Sequence, residues 1–247
     1  MRFRVSLLLL IVVSFAAPAL AQKRNITEKD LFDFVWIGDP QVSPDGSSVV
    51  FVRVSVNDKK DGYNTALWIV STATGQTRQL TNGPRDTTPR WSPDGNYLVF
   101  VRAPEISGRT EPAQLFMLAM SGGEPFQFTT LPRGAGGPQW SPDGKMIAFY
   151  NSATAEELAK ADRSKAQPSP SPAASPTPAE RESDVRVINR AVYRANGAGY
   201  LDFKHPQHIW VVNAPKTGDD KVTPKQLTHG RFSDAGAVWA KDSSRIY

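Results

Sequence analysis

One short phrase occurs three times in this sequence at a constant interval. Ser43-Pro44-Asp45-Gly46, Ser92-Pro93-Asp94-Gly95 and Ser141-Pro142-Asp143-Gly144 start at residues 43, 92 and 141, 49 residues apart each time. They are preceded by Pro40-Gln41-Val42, Pro89-Arg90-Trp91 and Pro138-Gln139-Trp140. A degraded fourth copy, Trp239-Ala240-Lys241-Asp242, comes after one longer gap. The chemistry of the phrase is that of a tight turn: proline presets φ at the second position, aspartate suits the third, and glycine accepts positive φ at the fourth.

Each turn is followed by a β-rich run: Val49-Val50-Phe51-Val52, Leu98-Val99-Phe100-Val101, Ile147-Ala148-Phe149-Tyr150. A third run follows a variable loop, at Leu67-Trp68-Ile69-Val70, Leu115-Phe116-Met117-Leu118 and Ile209-Trp210-Val211-Val212. A glycine turn (Gly75, Gly122-Gly123, Gly218) leads to a fourth run ending Leu80-Thr81, Phe128-Thr129 or Leu227-Thr228. Four antiparallel strands in a repeat of about 50 residues are the blade of a β-propeller. The expected fold is therefore all-β: a partial propeller of about three blades plus the start of a fourth, over residues 40–247. The recurring Trp and Phe fit packing between blades. The recurring Asp residues fit turn stabilisation, since they lack the alternating oxygen ligands of a calcium loop. A partial array leaves unpaired blade faces, so closure by oligomerisation is one expected outcome.

The third repeat carries an insertion between Tyr150 and Ile209. Ala153–Lys165 is rich in Ala, Glu and Lys and predicts an exposed helix. Pro168–Pro178 alternates Pro, Ser and Ala and predicts an extended or disordered linker, within a Pro/Ser/Ala-rich stretch at about 153–184. Val185–Arg194, with Gly197, Gly199 and Tyr200-Leu201-Asp202, predicts a hairpin arm of the third blade.

The N-terminus predicts an export signal over residues 1–21: Arg2 and Arg4, an apolar run from Leu7 to Phe15, and a small-residue cleavage site at Ala19-Leu20-Ala21. The mature protein is then periplasmic or secreted, with no membrane span. Residues 22–39 form a lead-in, where Ile26–Phe32 predicts a short helix with Thr27 and Asp30 in capping-box positions. The chain has Cys 0, which removes disulfides and thiolate metal sites. The net charge of +5 comes from 29 basic residues scattered among 24 acidic ones, which argues for a solvated surface rather than a nucleic-acid partner.

Catalytic motifs are missing from the sequence: no G-x-S-x-G, no phosphate-binding glycine loop and no H-E-x-x-H. The three histidines are His205, His208 and His229. The first two are expected in a surface loop without a carboxylate cluster, and the third in a turn. No Ser–His–Asp set is nominated, no catalytic, cofactor-binding or metal residue is assigned, and no cofactor is expected.

The triple Ser-Pro-Asp-Gly with its Leu-Trp and Leu-Thr strands resembles the propeller repeat shared by TolB-type proteins and the prolyl oligopeptidase family of serine peptidases. The opening from Thr27 through Asp39-Pro40-Gln41-Val42 resembles the start of mature members of that peptidase family. The segment from Val187-Ile188-Asn189-Arg190 through Tyr193-Arg194 and Tyr200-Leu201-Asp202 to His208–Val212 resembles its acylaminoacyl-peptidase and dipeptidyl-peptidase branch. The resemblance implies a propeller, usually of seven blades, that admits peptides to a C-terminal α/β-hydrolase domain holding the Ser, Asp and His. That domain is not in these 247 residues, so the resemblance transfers no catalytic residue. Peptide substrates are the implied partners. The alternative is a non-enzymatic TolB-like propeller that mediates protein interactions; such proteins carry an extra α/β domain ahead of the repeats, whereas about twenty residues stand there here.

Overall fold

The computed structural model describes residues 24–83, 85–166, 188, 191–196 and 199–247. The expected signal segment, the linker at Pro168–Pro178 and half of Val185–Arg194 lie outside the described residues. Two units divide at Phe34. In the first, a 3-10 helix spans Glu28–Asp33. Its Asp30 carboxylate accepts hydrogen bonds from the Thr27 N–H (2.6 Å) and hydroxyl (3.0 Å), the reciprocal arm of a capping box. Arg24 pairs with the same carboxylate, and its bonds pull the Asp30 pKa well below the usual carboxylate range.

The second unit contains three four-stranded antiparallel sheets in succession. The first is β1 (Val35–Val42), β2 (Ser48–Val56), β3 (Tyr63–Ser71) and β4 (Thr77–Gln79). The second begins with β5 (Asp86–Trp91) and β6 (Tyr97–Arg102). A small hairpin of β7 (Glu105–Ile106) and β8 (Arg109–Thr110) follows, then β9 (Gln114–Ala119) and β10 (Phe126–Gln127) complete the sheet. The third begins with β11 (Gly136–Trp140) and β12 (Met146–Asn151). The insertion then supplies α1 (Ala155–Ala166) and a hairpin of β13 (Arg194–Ala195) and β14 (Gly199–Tyr200). Strands β15 (His208–Asn213) and β16 (Lys225–Gln226) finish the third sheet. The fourth copy forms a hairpin in which Trp239 pairs with Ile246.

The Ser-Pro-Asp-Gly turns form as the residues dictate, with φ of 73°, 74° and 70° at Gly46, Gly95 and Gly144. Their serines have a larger role than turn propensity explains. Ser141 is fully buried. Its hydroxyl donates to Asp143 (2.6 Å) and accepts from the Met146 N–H (2.9 Å), tying the turn to the start of the next strand. Ser43 and Ser92 make the same pair of bonds. In the fourth copy Ala240 replaces this serine, and Ser243 occupies the glycine place with φ 61°.

Two further devices repeat. The first strand of every sheet breaks register, between Gly38 and Gln41, Thr87 and Arg90, and Gly136 and Gln139. The pivots Asp39, Thr88 and Gly137 all have positive φ, the mark of a β-bulge that bends a strand. The Leu-Thr ends are part of a Gln-x-Thr motif. The hydroxyls of Thr81, Thr129 and Thr228 accept the N–H of Leu67, Leu115 and Ile209 on the third strand, in the middle of β3 and near the start of β9 and β15. Gln79, Gln127 and Gln226 donate to the carbonyls of the same threonines. Each short fourth strand is thereby fixed by side chains as well as by its ladder.

The core lies between sheets. Strand alternation sends Val50, Val52 and Leu67 of the first sheet into one cluster with Leu98, Phe100, Phe116 and Leu118 of the second. The other face of the second sheet, Val99, Val101, Leu115 and Met117, packs with Ile147, Phe149, Trp210 and Val212 of the third. Each fully buried aromatic there contributes roughly 1.5–3 kcal/mol of transfer free energy. Indole N–H groups tie successive sheets together: Trp91 donates to Gln41 O (3.1 Å) and Trp140 to Arg90 O (3.1 Å). Trp239 continues the series with a bond to Gln139 O. At the turn end, Pro44 lies against Gly95 and Pro93 against Gly144.

Candidate functional site

Antiparallel meanders put two kinds of loop at one end of the sheets: the second-to-third strand connections and the crossings to the next sheet. The Ser-Pro-Asp-Gly turns occupy the other end. The elaborations collect at the first end, as the β7–β8 hairpin in the second sheet and as α1 with the β13–β14 hairpin in the third. Variable segments carried on a repeated frame are where binding surfaces form.

A cleft of about 460 Å³ opens there between the second and third sheets, lined in part by Arg133, Gly134, Gly137, Tyr150, Asn151 and Gln207. Gly134 has φ 84°, and a Cβ at that position would overlap the Ala113 carbonyl. Tyr150, in the cleft wall, accepts the Ala237 N–H at its hydroxyl, 2.7 Å away. Arg133 sits on the rim with φ 61°, a conformation that costs a non-glycine residue about 1 kcal/mol or more.

The Arg133 guanidinium joins both ends of the insertion. It donates to Asp202 (2.9 Å) and lies 3.8 Å from Glu157. His205 bridges the same two carboxylates, with Nδ1 2.7 Å from Asp202 and Nε2 3.4 Å from Glu157. Glu157 is itself placed by a capping box: it accepts from the Thr154 N–H (2.8 Å), and its own N–H donates to the Thr154 hydroxyl (3.2 Å). Partial burial acts to raise the Asp202 pKa, but the His205 bond and charge, the Lys204 N–H and the Arg133 charge together hold it below the ordinary range.

His208 corrects the sequence reading. It lies on β15 at 6% exposure rather than in a surface loop. Its Nδ1 is 3.0 Å from Asp234, which also accepts the Thr228 hydroxyl at 2.5 Å. The expected absence of carboxylates near His205 and His208 is likewise overturned, because Glu157 and Asp234 come from elements distant in sequence. His229 is exposed after β16, its ring 6.4 Å from that of His208. The Asp234 pKa is lowered first by the Thr228 hydroxyl and then by His208.

These groups do not make a hydrolytic centre. Thr228 donates to Asp234 rather than to His208, so the histidine has no hydroxyl to activate. Among the described residues neither His205 nor His208 bonds a serine, and no group of three His, Asp or Glu is arranged to hold a metal ion. No helix among them is long and apolar enough to cross a membrane. What the arrangement does is fasten the insertion beside an open cleft of mixed polar and apolar lining.

Comparison with known proteins agrees with this architecture. A family profile described as TolB beta propeller domain matches residues 26–172. The uncharacterized peptidase YuxL of Bacillus subtilis (strain 168) is 38% identical over 113 residues, covering 45% of this chain and 17% of that protein. Acylaminoacyl peptidase of Pyrococcus horikoshii superposes with a TM-score of 0.57 at 14% identity, over 87% of this chain and 28% of that one. AtxE2 isopeptidase superposes with a TM-score of 0.51 at 15% identity, over 84% of this chain and 32% of that one. The chain thus spans well under half the length of each. At these identities the structural likeness speaks for the fold.

Proposed function

This chain belongs to the TolB β-propeller domain family, and from that premise we propose that it is the propeller portion of an exported serine peptidase acting on peptides or acyl-peptides. The observation that carries the reading is the 38% identity to a protein named as a peptidase. The propeller fold shared with two further peptidases supports it. In this reading the Ser, Asp and His belong to an α/β-hydrolase domain outside these residues, and the propeller restricts access to it. Extended peptides pass and folded proteins do not. The fastened insertion beside the cleft suits that task, because it stands at one end of the sheet array and is held both by ion pairs and by the packing of Leu158 on the core.

The test uses the native gene product, isolated with an antibody against residues 24–83. It is expected to cleave short peptidyl or acyl-amino-acyl substrates, to spare folded proteins, and to lose activity with a fluorophosphonate. Absence of turnover on every such substrate contradicts the reading. The purified 247-residue chain is expected to have no turnover. Export is checked separately by cell fractionation and by a mature N-terminus near Gln22.

A further inference from the structure

The cluster that fastens the insertion has a braced side and an exposed side. On the braced side, the buried Asn151 amide donates to the carbonyls of Pro132 (2.8 Å) and Gly134, which flank Arg133. The buried Gln114 side chain holds Leu131, donating to its carbonyl (2.8 Å) and accepting its N–H (3.2 Å). Arg133 thus keeps its φ of 61° on a fixed loop. Glu157 stands on α1, whose Leu158 packs on the core. On the other side, no described residue from 191 to 204 is buried. Asp202 and His205 close a turn there, with the His205 N–H donating to the Asp202 carbonyl (3.4 Å). Their side chains reach across to Arg133 and Glu157.

Both ring nitrogens of His205 face carboxylates: Nδ1 is 2.7 Å from Asp202 and Nε2 is 3.4 Å from Glu157. An imidazolium donates from both nitrogens, whereas a neutral imidazole has one N–H and sets a lone pair against one of the carboxylates. The charges agree with the first form. Arg133 brings one positive charge to Asp202 and Glu157, so the cluster balances only when His205 carries the second. Lys204, the other charged residue of the turn, gives its N–H to Asp202.

We propose that the Asp202–His205 turn, with the β13–β14 hairpin that precedes it, is a pH-operated latch on the rim of the cleft, closed when His205 is doubly protonated and both carboxylates are ionised. The latch does not depend on the peptidase reading. Carboxylate partners favour the charged ring, so the His205 contribution is present at lower pH and lost as pH rises through the histidine range, about pH 5 to 8. Asp202 acts in the opposite sense. Burial raises its pKa, but the His205 bond and charge, the Lys204 N–H and the Arg133 charge bring it below the ordinary range. Its contribution is therefore lost only as pH falls below about 4. The latch is tightest near about pH 5 and opens toward pH 8. All four side chains are partly exposed, which limits the change in the opening equilibrium to about three- to tenfold.

Amide hydrogen exchange of the 247-residue chain, expressed as protection relative to the intrinsic rate at each pH, reads the latch at Leu201, whose N–H bonds the Tyr193 carbonyl (2.9 Å). Leu201 protection is expected to fall about three- to tenfold between about pH 5 and pH 8. Leu115, whose N–H bonds the buried Thr129 hydroxyl (2.9 Å), is expected to stay level. Glu157→Gln separates charge from contact. Glutamine keeps the capping box by accepting the Thr154 N–H at its oxygen, and its amide N–H can donate to the Nε2 of a neutral His205. Leu201 protection in that variant is expected to stay level over the same range. Wild-type Leu201 protection that does not change, a loss shared equally by Leu115, or an equal loss in Glu157→Gln each overturns the proposal.

Discussion

The indole N–H of Trp239 donates to the main-chain carbonyl of Gln139, 3.2 Å away and a hundred residues earlier in the chain. The same bond joins Trp140 to Arg90 and Trp91 to Gln41. Each links the first strand of one repeat to that of the repeat before. Blade succession is therefore enforced by a directional polar contact in addition to the apolar face packing on either side of it.

Trp140→Phe is expected to destabilise the chain by about 1–3 kcal/mol, because it removes the indole donor and part of the packed volume. Trp210→Phe is expected to cost less. The Trp210 Nε1 is buried without a partner among the described residues, and phenylalanine occupies the equivalent place at Phe116. Urea unfolding of both variants decides the matter, and a larger loss for Trp210→Phe contradicts the role given to the Trp140 bond.

The turn serines give a second test. Ser141→Ala removes the acceptor of the part-buried Met146 N–H and frees Asp143, which is expected to cost about 1 kcal/mol. The fourth copy invites the reverse change. Ala240→Ser together with Ser243→Gly brings back the serine and glycine of the phrase, with Lys241 still in the proline place, and relieves a positive φ; even with the loss of the Ser243 hydroxyl that accepts the Asp143 N–H, the expected net gain is up to about 1 kcal/mol. A loss of stability in that double variant argues against a shared turn design.

Acid should weaken the array through the same turns. The Ser43 hydroxyl first, then the Ser47 N–H and hydroxyl, lower the Asp45 pKa from 3.8 to about 2. Asp94, Asp143 and Asp242 shift the same way, led by Ser92, Ser141 and Ser244. A carboxyl whose folded pKa lies below its unfolded one contributes stability that is present above the unfolded pKa and lost as pH falls through the folded one. The urea midpoint is thus expected to fall between about pH 4 and pH 2, and Asp45→Asn to flatten that slope. A midpoint constant across that range contradicts the account.

Asp86 makes the strongest single electrostatic claim. It is fully buried and accepts two bonds from Arg102, at 2.6 and 2.8 Å. Asp86→Ala leaves the guanidinium without its partner and is expected to cost about 3–5 kcal/mol. A loss under 1 kcal/mol by calorimetry means that Arg102 reaches solvent freely.

What could be read from the sequence was whatever is local. The 49-residue interval, the glycine φ values, the blade strands and the Thr27–Asp30 cap depend on neighbours in the chain. The recurring Trp and Phe pointed to packing between blades, but the individual partners across blades left no local trace. Nothing near Trp91 in sequence announces Gln41, and nothing near His208 announces Asp234. The bulges at Asp39 and Thr88 were hidden because neither residue is a glycine. The Gln-x-Thr spacing was present three times and carried a signal that the Leu-Thr pattern only half captured. The Arg133–Asp202–Glu157–His205 network draws on three separate segments, so only the folded chain brings it together.

The reading of this chain as part of a serine peptidase is tested most directly by labelling the native gene product in its own cells with a fluorophosphonate probe and measuring its mass. The account predicts a labelled band well above 27.1 kDa that an antibody against residues 24–83 also recognises. An antibody-reactive band at or below 27.1 kDa that takes no label would contradict it.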